Sequence, residues 1–248
     1  MISIEDLHKS LDGVDVLRGV SLTVARGEVF ALIGPSGGGK TVLLKHLVGL
    51  MRPDRGRVRV DGQDVASLRG RALQRLRNRF GFLFQGGALF NSMTVFENVA
   101  FPLRERTRLN GAEVRDRVLY ELKQVGLSGA EEKYPAEISG GMKKRAALAR
   151  AMIVSPEIML FDEPTTGLDP VIVRAIHDLI ESCHRRLTFT GILVSHEVPD
   201  IFGLVHKVAM LHEGAIQIVG TPDEILSSTD PIVRDFVHDR APPDESRS

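Results

Sequence analysis

Gly34-Pro35-Ser36-Gly37-Gly38-Gly39-Lys40-Thr41 is the stretch that decides the fold. The run before it, Val29-Phe30-Ala31-Leu32-Ile33, reads as a short buried strand, and Thr41 to Val48 after it reads as a helix. Strand, glycine-rich turn and helix in that order form a phosphate-binding loop in its structural context. The glycines let the backbone curl so that successive N–H groups face an anion. The helix N-terminus adds unpaired N–H groups and a partial positive charge. In that geometry Lys40 reaches the β- and γ-phosphates of a nucleotide and the Thr41 hydroxyl ligates Mg²⁺. An ordinary glycine-rich turn that happens to contain Lys-Thr is the alternative, and the flanking strand and helix disfavour it.

Working outward, 248 residues with 43% apolar content suffice for one large α/β domain or two small ones. Lys and Arg number 32 and Asp and Glu number 32, for a formal net charge of +0, which argues against attachment to nucleic acid through bulk charge. A local basic stretch, with Arg69, Arg71, Arg75, Arg77 and Arg79, is expected to be the solvated face of a helix. The single cysteine, Cys183, has no internal disulfide partner, which fits a reducing compartment. It lies in the apolar-periodic stretch 176–187 and is expected to be a packed, non-catalytic thiol. The N-terminus carries no basic segment followed by an apolar one, and no apolar run is long enough to span a bilayer. A cytosolic chain that can still dock on a membrane protein is expected. Residues 239–248, polar and bearing Pro242-Pro243, are expected to be a disordered tail.

Short β patterns open the chain at Ile2-Ser3-Ile4, 19–24 and 57–60, and Phe80-Gly81-Phe82-Leu83-Phe84 is a further strand that ends at Gln85. From Val95 helical patterns dominate, over 95–103, 111–125 and 140–153. Apolar strands return at 158–161, 192–195 and 208–211, and 214–220 reads as a closing strand. Strands alternating with helices imply a mostly parallel core. The helical middle, about 88–155, reads as an insertion into a single domain spanning 2–238, because chemistry-bearing residues resume after it.

The strand Ile158-Met159-Leu160-Phe161 ends in Asp162-Glu163. A carboxylate at a strand end is placed to hold Mg²⁺, and its neighbour to deprotonate an attacking water, so Asp162 is assigned to the metal and Glu163 to the general base. Ser139-Gly140-Gly141-Met142 precedes a further helix: Ser139 caps it, and the two glycines expose backbone N–H groups to an anion. One nucleotide does not easily use two such helix ends within a monomer. A homodimer, in which each subunit's second helix end meets its partner's nucleotide, resolves this.

Over roughly residues 2–221 these motifs resemble the nucleotide-binding domain of an ATP-binding cassette (ABC) ATPase. Gly34 to Thr41 matches the Walker A loop, Phe161-Asp162-Glu163-Pro164 the end of Walker B, and Ile138 to Met142 the family signature. Gln85 matches the Q-loop glutamine, Gly167-Leu168-Asp169 the D-loop and Ser195-His196 the switch histidine. The resemblance implies an α/β fold with a RecA-like core, an N-terminal antiparallel β subdomain and an inserted helical subdomain. It implies ATP and Mg²⁺ as cofactors, with Gln85 at the metal and water, Asp169 crossing to the partner subunit and His196 sensing the γ-phosphate. Three departures stand out. Met142 replaces the usual signature glutamine. Val42, counted among the nucleotide-contacting positions, lacks the second hydroxyl common after Thr41. The usual adenine-stacking aromatic is missing, and Leu11 occupies its approximate place.

Two segments narrow the resemblance. Residues 82–105 and 140–151 are similar to the ATPase subunits of bacterial transporters that work with MCE-domain proteins, of which the Mla phospholipid-transport system is the best known. That implies a peripheral protein on the cytoplasmic face of the inner membrane. Its expected partners are an integral permease, an MCE-domain lipid-binding protein and a small regulatory subunit; nucleic acid is not expected. Ala88-Leu89-Phe90 and Met93 are too apolar for a free loop, which fits an interaction site. Phe90 is the expected permease contact, while Leu89 is equally consistent with packing under the helices. From a different class, a soluble ABC ATPase in a non-transport assembly such as iron–sulfur cluster biogenesis also fits a single cassette of this length. Copurification with a permease separates the two.

Overall fold

The computed structural model describes residues 1–238; the expected disordered tail at 239–248 lies outside the described residues. The chain runs through β1 (Ile2–Leu11), β2 (Val14–Val24), β3 (Val29–Ile33), α1 (Lys40–Leu47), β4 (Arg55–Val60), β5 (Gln63–Asp64) and α2 (Gly70–Asn78). It continues with β6 (Phe80–Leu83), α3 (Val95–Arg106), α4 (Gly111–Gln124), α5 (Gly140–Met152), β7 (Ile158–Asp162) and α6 (Pro170–Leu187). Then follow β8 (Thr190–Ser195), β9 (Lys207–His212), β10 (Ala215–Gly220), α7 (Pro222–Leu226) and α8 (Pro231–His238). These elements divide into two compact units: Met1–Arg77 with the described residues from Thr190 onward, and Asn78–Phe189.

In the first unit, β1 pairs antiparallel with β2 on one side and β4 on the other, across the tight turn Asp12-Gly13. The central strand is β3. All five of its residues are buried, as a continuous Val-Phe-Ala-Leu-Ile run predicts for a strand covered on both faces. It pairs parallel with β8, Ile33 opposite Ser195, and parallel with β9, Ile33 opposite Met210, while β10 returns antiparallel to β9. The basic stretch forms helix α2 as expected, but Arg77 is not part of a purely solvated face. Its guanidinium donates to the carbonyls of Val48 at 2.9 Å and Gly49 at 3.0 Å, satisfying the C-terminal end of α1.

In the second unit, β6 and β7 pair parallel, Leu83 opposite Phe161. Helices α3, α4 and α5 gather around a core that includes Val99, Leu103, Val118, Leu122, Ala146 and Ala149. Capping explains where two of them start. Thr94 and Glu97 exchange side chain-to-backbone hydrogen bonds at the head of α3, and Asn110 and Glu113 do the same for α4. Helix α3 runs to Arg106, past the expected end at Leu103 and through Pro102. Helix α6 buries Val173, Ile176, Ile180 and Cys183, one face at helical spacing. Burial pushes the Cys183 thiol up, consistent with a packed, unreactive cysteine. Glu121 of α4, 4% exposed, is held by both guanidinium branches of Arg186 on α6 at 2.6 and 2.9 Å. A carboxylate so buried is stable only when paired.

Among the described residues, no helix is long and apolar enough to cross a membrane.

Candidate functional site

In the first unit the parallel pairing sets the site. Because Ile33 faces Ser195, Gly34 and His196 are the residues that leave β3 and β8 at the same edge. That is the C-terminal edge of a parallel sheet, where ligands of such sheets bind. Gly34 has φ +145°, and a Cβ there would sit 2.1 Å from the Leu211 carbonyl oxygen, so no other residue lets β9 pass this close. Gly39 takes the left-handed conformation at the head of α1, where a Cβ would sit 2.9 Å from the Val16 carbonyl oxygen. No side chain caps α1 and no acidic residue lies in its first turn, the condition under which a helix N-terminus attracts an anion. Lys40 is 5% exposed, and its Nζ donates to the carbonyls of Gly34 and Pro35, both at 2.8 Å. The loop thus wraps around its own ammonium and fixes a positive charge beside the glycine-rich turn.

Leu11 ends β1, opposite Val14. The closeness of Val16 to Gly39 adds a residue that the sequence did not single out: its side chain would stand 3.2 Å from a Cβ at Gly39. The alternation of β2 places Val16 two residues from Val14 on the same strand face, the signal that could have found it.

In the second unit the register does the same work. With Leu83 opposite Phe161, the residues leaving β6 and β7 emerge together. Gln85 Nε2 donates to Glu163 Oε2 at 3.1 Å, and the Thr166 hydroxyl donates to the same oxygen at 3.1 Å. Gln85 and Glu163, expected from sequence to serve one reaction, are therefore in direct contact. Glu163 has φ +49°, a strained conformation for a residue with a side chain and one that clusters at functional sites. Asp162 is the last residue of β7 and half-buried. Its carboxylate and the Gln85 side-chain carbonyl, both in the second unit, are hard oxygen donors of the kind Mg²⁺ prefers over softer metals. Among the described residues no three His, Cys, Asp or Glu side chains gather into a cage. The donors suit an ion that takes its remaining ligands from water and phosphate.

Ser139 caps α5 by accepting from the Met142 N–H at 3.3 Å. Gly140 is exposed, whereas Gly141 is buried: a Cβ there would lie 2.9 Å from Ile172 on α6. Gly141 therefore also serves helix packing. Met142 is partly buried against the helical core. Asp169 caps α6, one carboxylate oxygen accepting from Val171 and Ile172 N–H at 3.1 Å each.

Past Gln85 the chain is held from two sides. Arg150 on α5 donates to the carbonyls of Gly87 at 2.8 Å and Ala88 at 2.7 Å, and burial lowers its pKa. Asn98, fully buried on α3, bonds both backbone groups of Phe90 and the carbonyls of Met93 and Thr94 at 2.8–3.1 Å. Leu89 packs against the helical core, while Phe90 stays 43% exposed. Its ring lies 5.1 Å from Phe101, in a groove of about 430 Å³ also lined by Phe82, Phe84, Arg106 and Arg150.

The ABC transporter family model matches residues 17–166. The probable ribonucleotide transport ATP-binding protein mkl of Mycobacterium tuberculosis is 43% identical over 96% of this chain and 67% of its own length. The intermembrane phospholipid transport system ATP-binding protein MlaF of Haemophilus influenzae is 42% identical over 88% of this chain and 83% of its own length. The Escherichia coli MlaF is 38% identical over 96% and 88%. Among solved structures, cbiO1 of Clostridium perfringens, part of the transporter complex cbiONQ, superposes with TM-score 0.84 at 30% identity, covering 92% of this chain and 90% of that one. The dimeric post-hydrolysis state of the ATP-binding cassette MJ0796, bound to ADP and Pi, superposes with TM-score 0.81 at 29% identity, covering 90% and 99%.

Proposed function

From the premise that this chain belongs to the ABC transporter family and is an ATPase of it, we propose that it works as a homodimer on the cytoplasmic face of a bacterial inner membrane. There it drives phospholipid transport with a permease and an MCE-domain partner. Residues 2–238 act in this reading as one nucleotide-binding domain carrying the helical segment 88–155.

The phosphate loop 34–41 holds the β- and γ-phosphates through its N–H groups and Lys40. Thr41 at the head of α1 and Asp162 at the end of β7 would each offer an oxygen to Mg²⁺, which would supply charge neutralisation at the phosphoryl group. Glu163 takes the proton of the attacking water, and Gln85 orients that water and the carboxylate. His196 leaves β8 at the same edge as the loop and reads the γ-phosphate. Leu11 and Val16 offer the base an aliphatic surface in place of an aromatic one. Ser139, Gly140 and Gly141 face the partner subunit's nucleotide. The dimeric cassette that shares this fold at 29% identity supports that arrangement.

The names of the relatives differ on cargo. The MlaF proteins are matched over more of their own length than mkl, 83% and 88% against 67%, which supports phospholipid. A soluble, non-transport role has no support among these relatives' names.

The observation that carries the coupling role is the segment after Gln85. Gln85 touches Glu163, and five residues later Asn98 pins Phe90 with its ring exposed. A partner helix seated against Phe90, Phe84 and Phe101 would feel any movement of Gln85. Phe90→Ala is therefore expected to leave ATP affinity of the isolated subunit unchanged. In detergent-solubilised complexes it is expected to lower permease recovery or lipid transfer by about tenfold, the scale of one aromatic anchor. ATP titration, pull-down and liposome transfer assays measure the three quantities. Normal docking and normal transfer would remove this segment from the coupling interface.

A further inference from the structure

Lys144 is a lysine without a part in the proposed hydrolysis. It lies on α5 five residues past the capping Ser139, and only 7% of it is exposed. A buried ammonium persists only where it is well bonded. Its Nζ donates to the main-chain carbonyl of Gln85 and lies 3.5 Å from the main-chain carbonyl of Glu163. The same two residues meet through their side chains at 3.1 Å. One cation thus holds the backbones of the glutamine and the general base, from the helix whose N-terminus carries Ser139, Gly140 and Gly141. Arg150, further along α5, holds Gly87 and Ala88 by their carbonyls, so the helix grips the whole turn after Gln85.

We propose that Lys144 is a positioning residue: it sets Gln85 relative to Glu163 and, through α5, links the two nucleotide sites of the dimer. The linkage rests on the homodimeric reading above. There, the α5 N-terminus grips the partner's nucleotide, while Gln85 and Glu163 of the same chain act on the chain's own. A shift of α5 when it meets one nucleotide then moves, by way of the Lys144 ammonium, the carbonyls that orient the groups acting on the other. Main-chain carbonyls suit this role, because the ammonium sets backbone position and leaves the Glu163 carboxylate to its proton.

The test compares the full-length protein with Lys144→Met, Lys144→Gln and Lys144→Arg for ATP affinity, kcat, KM, Hill coefficient and melting temperature. Misplaced catalytic groups lower kcat, whereas lost ground-state binding raises KM. Lys144→Met is expected to bind ATP within about twofold of the unaltered protein and to lose about tenfold to a hundredfold in kcat. Its Hill coefficient is expected to fall from about 2, the number of linked sites, toward about 1. Lys144→Arg, which keeps charge and donors, is expected to recover most of both. Unaltered kcat and Hill coefficient in Lys144→Met would overturn the proposal, as would an arginine variant as impaired as the methionine one. Equal loss of melting temperature and ATP binding in the Met and Gln variants, with kcat of the folded fraction unchanged, would make Lys144 a fold staple and also overturn it. An unaltered protein that neither binds nor hydrolyses ATP would instead overturn the nucleotide reading, and this proposal with it.

Discussion

Glu163→Gln is expected to lower the ATP hydrolysis rate by about a hundredfold to ten-thousandfold, the usual contribution of a positioned base, and to leave ATP binding intact. The substitution is nearly isosteric, and the amide oxygen can still accept from Gln85 and Thr166, which hold Glu163 Oε2 at 3.1 Å each. What disappears is the carboxylate proposed to take a proton from water. The left-handed backbone at Glu163 is retained, because its neighbours and the strand end Asp162 are unchanged. Single-turnover hydrolysis with an ATP titration checks both halves. Hydrolysis at the unaltered rate would assign the base elsewhere.

Lys40→Ala is expected to act on the other half of the chemistry and to weaken ATP binding by about tenfold to a hundredfold, the cost of one hydrogen-bonded charge at a phosphate. The effect has two sources. The ammonium proposed to meet the phosphates is lost, and the Gly34 and Pro35 carbonyls lose the donor that shapes the loop around them. The core strand β3 is buried through its own five apolar residues, so folding should hold. A titration with nucleotide reads the affinity, and a melting curve reads the fold. Unchanged affinity would mean that the loop binds through its backbone alone.

Much of this arrangement was legible in the sequence, for reasons tied to particular residues. Val29 to Ile33 is a short unbroken apolar run ending in glycine, and in a parallel sheet such a run can only be a central strand leading to a loop at the ligand edge. Asp162, Glu163 and Gln85 were visible because each closes or closely follows an apolar strand: Asp162 ends β7, Glu163 comes next, and Gln85 lies two residues past the end of β6 at Leu83. Lys144 was not visible. A lysine in the first turns of a helix looks the same whether it reaches solvent or, as here, carbonyls 59 and 19 residues away. Thr166 was hidden for a similar reason, since its partner Glu163 is set by the curl of the loop after β7. Asn98 did leave a trace: a polar residue between Val95 and Val99 on an apolar helix face marks a buried side chain that must find partners. The packing role of Gly141 was beyond the sequence, because close approach of Ile172 from α6 is a tertiary fact.

The central claim is that two copies of this chain share their nucleotide sites, each supplying the phosphate loop with Lys40 to one and Ser139 to the other. It is tested most directly by mixing Lys40→Ala subunits with Ser139→Arg subunits and measuring ATP-dependent dimer formation and hydrolysis. Each variant alone should fail, because every site in its homodimer lacks one half. The mixture should recover ATP-dependent dimer formation and hydrolysis above either variant alone, since one of its two sites has both halves intact. Full activity from Ser139→Arg alone, or no recovery in the mixture while both variants remain folded, would contradict the account.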